Sequence, residues 1–281
     1  MNSTITVPSG RFATIRSEHG PLSDEQIRSV VPAIFATERH PDRTSDRYTY
    51  LPTSEIIAAL HEEGYAPFMA AQSRVRDAER RAFTRHIVGL RHATASQTGR
   101  GEFNEIAVDS SHDGSRALTL RAARFRQVCG NGLVVGGLCD DIRLAHKGGI
   151  VIRDVIRAAH AITDNFSLVD ASRDAMAALE LTEAQRLAFA QSALELKWKP
   201  GVQHAPVRAS ALLKLQNYEE RPSTLWSTFN IIQRNVVGGG VEGTTRSGRR
   251  TTTRPIRAID SNTRLNRALW ELAEQTRQSL S

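Results

Sequence analysis

Between Tyr65 and His146 the chain alternates apolar and polar residues in short runs separated by turn-forming residues. The runs are Tyr65 to Ala71, His86 to His92, Phe103 to Ser110, Arg116 to Arg121, Phe125 to Val128, Leu133 to Val135 and Ile142 to His146. A period of two is the pattern of half-buried strands. In the third run it puts Phe103, Glu105, Ala107 and Asp109 on one face and Ile106 and Val108 on the other. The sequences His112-Asp113-Gly114-Ser115 and Gly130-Asn131-Gly132 supply hairpin turns.

At Gly149 the period changes. Val151, Val155, Ile156, Ala159 and Ile162 recur at helical spacing, which predicts an amphipathic helix to about Asn165. Thr182 with Gln185 forms a capping box ahead of a helix to Leu196. Two more helices follow, one opened by Pro222 and one from Asp260 to about Gln278. The expected class is α+β: a curved antiparallel meander backed by helices, then a mostly helical C-terminal part. Residues 1–22 read as a polar N-terminal arm, 23–148 as the sheet domain and 149–281 as the helical region. Inside that region, 238–257 (GGGVEGTTRSGRRTTTRPIR) shows no periodicity and reads as a flexible Gly/Arg-rich loop.

Charge narrows the partner. The 281 residues carry 37 Lys and Arg against 30 Asp and Glu, a net +7, and only Lys147, Lys197, Lys199 and Lys214 are lysines. Arginine's planar fork grips phosphate bidentately and stacks on bases, so nucleic acid is the natural ligand of such an excess. A GC-rich genome accounts equally well for the Arg/Lys ratio, though not for the net charge. Cys129 and Cys139 are the only cysteines and form no CxxC, so neither a disulfide framework nor a structural zinc site is indicated. No metal or cofactor is expected. The N-terminus lacks a leader pattern and no apolar run approaches a membrane span, so a cytoplasmic protein without membrane contact is the expectation.

The basic residues cluster twice. Gln72 to His92 holds Arg74, Arg76, Arg80, Arg81, Arg85 and Arg91 against Asp77 and Glu79. As a helix it would carry Arg74, Arg81 and Arg85 as one stripe. The alternative is a solvated face with local pairs such as Asp77–Arg81 and Arg76–Glu79. The loop at 238–257 holds Arg246, Arg249, Arg250, Arg254 and Arg257 against Glu242 alone; it is either a phosphate-tracking segment or a plain linker. The candidate nucleic-acid contacts are Arg74, Arg76, Arg80, Arg81, Arg85, Arg246, Arg249, Arg250 and Arg254. For catalysis, His112, Asp113 and Cys129 are weak candidates, because a hairpin turn and a small buried thiol explain the same letters. No HExxH pattern is present.

Several blocks together carry a resemblance. They are Ser45-Asp46-Arg47-Tyr48-Thr49-Tyr50-Leu51-Pro52-Thr53, Glu63 to Phe68, Gln72 to Asp77, Ser110 to Ser115, Phe125-Arg126 with Cys129 to Val134, and Leu265 to Trp270. In these the chain resembles the YfjQ/YafZ/YubP family of plasmid, prophage and genomic-island proteins, which carry the domain of unknown function 932. The resemblance implies a setting on mobile elements and so, by association, DNA transactions; it defines no catalytic residues. The resulting expectation is a DNA-binding protein, acting on single-stranded DNA in recombination, replication or strand annealing, as a homo-oligomer. The alternatives are an enzyme acting on nucleic acid or nucleotides through His112 and Asp113, and a host-interaction protein that blocks a defence system.

Overall fold

The computed structural model describes residues 4–9, 12–17, 20–95, 102–126, 131–134, 141–146, 149–200, 204–215, 223–256 and 259–280. The architecture is α+β, an open antiparallel sheet followed by helices. The chain divides into two compact units, one of residues 1–132 with 139–166 and one of 133–138 with 167–281.

The first unit is built on β1 (Thr4–Ser9), β2 (Phe12–Ser17), β3 (Tyr65–Ser73), β4 (His86–His92), β5 (Glu102–Ser110) and β6 (Leu118–Arg126), hydrogen-bonded in chain order. The short strand β7 (Asn131–Val134) comes next in the chain, and β8 (Ile142–Leu144) pairs with Leu118 to Leu120 of β6. Every register described is antiparallel, with a bulge in β3 between Pro67 and Met69. The residues expected to be a polar arm therefore form a hairpin instead: Ile5 pairs with Arg16, and Ala13 with Gln72 on the far side. Strand pairing to β3 supplies the hydrogen bonds that a solvated arm would have left to water.

Alternation then sorts the sheet into two faces. Ile15, Ala70, Val88, Leu90, Ile106, Val108, Leu118 and Leu120 are all buried and share one face. Against the sheet pack α1 (Asp24–Val30), α2 (Thr53–Glu62) and α3 (Ile152–Asp164). Ser23 and Gln26 form a capping box on α1. In α2, Ile56, Ile57 and Leu60 are buried, and Gly64 ends the helix at φ +84. Helix α3 buries Val155, Ala158, Ala159 and Ile162 and packs on β5, β6 and β8. Its apolar stripe has its partner in the sheet, so the first unit runs to Phe166 rather than ending at 148.

The arginine-rich stretch is not an α-helix. Only Glu79–Phe83 is helical, as a short 3-10 turn. Gln72 holds the segment: its side chain accepts from the Ala33 N–H at 3.0 Å and donates to the Arg81 carbonyl at 2.6 Å. Asp77 accepts the Glu79 N–H at 3.0 Å, a local turn that competes with helix.

The second unit holds α4 (Phe166–Ala178), α5 (Glu183–Lys197), α6 (Leu225–Gly238) and α7 (Ile259–Leu280). The Thr182–Gln185 capping box is formed, and Thr224 with Ser227 caps α6 in the same way. Trp226 stacks on Phe229 at 5.4 Å, and both meet Trp270 edge-on at 6.1 Å. These rings lie in the core of this unit, Trp270 being wholly inaccessible.

Candidate nucleic-acid interface

The segment expected as a flexible loop is an ordered hairpin of β9 (Glu242–Thr244) and β10 (Arg250–Thr252), in register from Thr244↔Arg250 to Glu242↔Thr252. Two of its glycines, Gly239 and Gly243, are points of close backbone contact. A Cβ on Gly243 would stand 2.0 Å from the Pro206 carbonyl oxygen, and one on Gly239, at φ +70, would stand 2.6 Å from the Pro255 nitrogen. Only glycine lets the two backbones approach so closely. The Thr244 N–H donates to Pro206 at 2.6 Å, and Gly240 and Val241 exchange backbone bonds with Thr253 at 2.8 Å each. At the tip, Gly248 donates to the Thr245 carbonyl at 2.9 Å and Arg249 N–H to the Thr245 hydroxyl at 3.1 Å.

This hydrogen-bonded ribbon carries Arg246, Arg249, Arg250 and Arg254, all exposed. None of the four has a carboxylate partner among the described residues. Alongside the hairpin a groove of about 450 Å³ is lined by Lys197, Trp198, His204, Thr245, Arg246 and Arg254, among others. The Lys197 ammonium donates to the Val236 carbonyl at 2.5 Å and sits 4.6 Å from the Trp198 ring centroid. Burial lowers its pKa to about 8.

The arginines of the first unit behave differently. Arg85 is fixed on Asp109, its Nε donating at 2.8 Å, and Arg80 is half-buried with Nη2 3.8 Å from Asp113. Arg74, Arg76 and Arg81 are exposed, and Arg74 and Arg81 border a groove of about 370 Å³ with Gln72, Ser73 and Val75. The polar face of the sheet carries a buried ion-pair network. Arg16 and Arg91 both bind Glu105, at 3.1 and 2.8 Å, and Arg121 bridges Asp109 at 2.7 Å and Asp141 at 3.0 Å. Arg91 is also sandwiched between Phe68 and Phe103, 4.1 Å from each ring centroid.

His112 and Asp113 are buried, not at an exposed hairpin tip. The Thr53 hydroxyl stands at the first residue of α2, 2.8 Å from His86 Nε2 and 3.4 Å from His112 Nε2. The two imidazoles lie 4.8 Å apart, and Tyr50 meets His112 edge-on at 5.1 Å. His146 stacks on Tyr48 at 4.7 Å, and the Tyr48 hydroxyl donates to the Ser111 carbonyl at 3.0 Å. Burial pushes the His86 pKa down to about 4; burial and the neighbouring imidazoles push His112 to about 2. Burial works to raise the Asp113 carboxyl, but hydrogen bonds from Ser115 and Ser111, with Arg43, outweigh it and hold the pKa below its usual value.

A base of such low pKa abstracts protons poorly near neutrality, and both imidazoles are buried from solvent. The cluster locks the β5–β6 turn to α2, which the residue letters alone did not reveal. Cys129 lies outside the described residues. Among the described residues no group of His, Cys, Asp or Glu is arranged to hold a metal ion, and no helix is long and apolar enough to cross a membrane.

Comparison with known proteins fixes the kinship. The family model for the domain of unknown function DUF932 matches residues 42–270. The chain belongs to that family. It is 40% identical over 254 residues to the UPF0380 protein YfjQ of Escherichia coli (strain K12), covering 90% of this chain and 91% of that protein. To the UPF0380 protein YafZ of the same organism it is 39% identical with the same coverage. No solved structure matches. The DUF932 match takes in the histidine cluster, the β9–β10 hairpin and, Arg16 apart, the ion-pair network.

Proposed function

We propose that this DUF932 protein binds nucleic acid, with single-stranded DNA as its ligand and the β9–β10 hairpin as its principal contact. The observation that carries this reading is the set of four exposed arginines, Arg246, Arg249, Arg250 and Arg254, lacking carboxylate partners among the described residues. A guanidinium held on an ordered hairpin with no internal counter-charge gains most from an external phosphate. Arg74, Arg76 and Arg81 are secondary contacts on this reading, while Arg80 and Arg85 act through the first unit's own structure because carboxylates occupy them. The mobile-element setting implied by the resemblance leads us to assign the binding to DNA recombination, replication or strand annealing, with the protein acting as a homo-oligomer in the cytoplasm.

The test is fluorescence anisotropy with labelled single-stranded and duplex DNA across a salt series. Four phosphate contacts to a single strand give a log K against log salt slope of roughly −3. Replacing all four arginines by glutamine should flatten that slope and remove most of the affinity. No binding at low salt, or a quadruple variant that binds as the parent does, refutes the proposal. Light scattering with and without DNA tests the oligomer.

A further inference from the structure

Of the three tryptophans, two belong to the second unit's core, Trp226 being 9% and Trp270 0% exposed. Trp198 is the exception. It is half-buried where α5 ends, its backbone N–H closing the helix on Leu194 at 2.8 Å, and it lines the groove alongside the hairpin. The groove's volume of about 450 Å³ falls within the roughly 300–1,000 Å³ of small-molecule sites. Its lining includes Lys197, His204, Arg246 and Arg254 and, among the described residues, no carboxylate. Lys197 is held by the Val236 and Arg254 carbonyls, at 2.5 and 3.4 Å, and by the Trp198 ring, again without a carboxylate among the described residues. A half-buried ammonium with only carbonyl and π partners keeps its demand for a counter-anion. An aromatic ring beside several unneutralised cations is the arrangement by which single strands are held, one group stacking a base while the others take the flanking phosphates.

We propose that this groove is a base-stacking subsite: Trp198 stacks one unpaired nucleobase, and Arg246, Arg254 and Lys197 take the adjoining phosphates. The proposal rests on the nucleic-acid reading above and adds the discrimination in favour of unpaired bases, which exposed arginines alone do not give.

The two rings buried in the core make the test selective, because Trp198 is the tryptophan a ligand can reach. The full-length protein is titrated with oligothymidylate and with an abasic deoxyribose-phosphate strand of the same length, following both anisotropy of the labelled strand and intrinsic tryptophan emission. Oligothymidylate should quench the emission of the parent and leave that of Trp198→Phe unchanged. Trp198→Ala should lose roughly tenfold in affinity for oligothymidylate and nothing for the abasic strand. Trp198→Phe, which keeps an aromatic ring, should bind nearly as the parent does and covers the case in which the alanine variant folds poorly. Binding seen by anisotropy with no quenching, or Trp198→Ala binding both strands as the parent does, overturns the subsite while leaving nucleic-acid binding in place. If neither strand binds at low salt, both readings fall together.

Discussion

The arginines of the β-sheet and those of the hairpin are the same residue in two different physical roles. On the sheet, Arg16, Arg85, Arg91 and Arg121 are nearly inaccessible, and Glu105 and Asp109 each serve two of them. On the hairpin, Arg246, Arg249, Arg250 and Arg254 stand in solvent with no acid beside them among the described residues. The first set holds strands together and is already neutralised; the second has its charge available. A count of basic residues in the sequence merges the two, and only pairing and burial separate them.

The largest expected effect lies in the buried set. Asp109→Ala leaves Arg85 and Arg121 facing a void in the polar face, and stripping one partner from a buried pair costs about 3–5 kcal/mol. Urea denaturation should show that loss as a lower midpoint at unchanged slope. A loss under about 1 kcal/mol would mean that water solvates the network, and the contrast with the hairpin would collapse.

On the scale of one pH unit the histidine cluster comes next. His86 and His112 are held neutral, with pKa values of about 4 and about 2 against an ordinary value of 6.5. Below pH 6.5 the unfolded chain takes up protons that the folded chain refuses, so stability is fully present above 6.5 and declines as the pH falls towards 4. The slope is roughly 1.4 kcal/mol per pH unit for each imidazole. Chemical denaturation at pH 7.5, 6 and 5 should show the decline, and a flat profile would mean that the imidazoles reach water. Replacing His112 by asparagine should shallow the slope.

Gly243→Ala probes the other side of the comparison. Its Cβ would meet the Pro206 oxygen at 2.0 Å, so the ribbon must shift from its seat, at a cost of about 1–3 kcal/mol. Limited proteolysis should then cut within 242–252, where the parent resists. Equal resistance in the variant would show that the hairpin does not depend on that contact.

The same glycine shows why part of the fold was hidden in the sequence. Strands β3 to β6 and helices α3, α5 and α7 follow from periodicities that residues express locally, and the Thr182 capping box is readable letter by letter. The hairpin was not, because Gly239 and Gly243 look like loop residues unless Pro206 and Pro255, far off or further on in the chain, are known to press against them. The β1–β2 hairpin is likewise hidden although Thr4-Ile5-Thr6-Val7 alternates, since polar neighbours and Gly10 read equally well as an arm. At the site, the exposure of Arg249 and the engagement of Arg85 depend on whether a carboxylate arrives from another strand. His112 beside an Asp-Gly pair suggested a surface turn, whereas Thr53, Tyr50 and His86 bury it. Non-local partners decided each of these cases.

The smallest effect on stability should accompany the most telling effect on binding. Arg249→Ala with Arg250→Ala removes two solvated cations that have no acid partner among the described residues, so thermal stability should change by less than about 0.5 kcal/mol. The salt slope for single-stranded DNA should nevertheless fall by about 1.4, the share of two phosphate contacts. The matching change on the sheet face, Arg85→Ala, should do the reverse: lower the denaturation midpoint by leaving Asp109 short of a partner and leave the slope alone. A double variant of the hairpin that destabilises the protein, or an Arg85 variant that flattens the salt dependence, would show that the two sets of arginines are not divided between holding the fold and meeting a ligand.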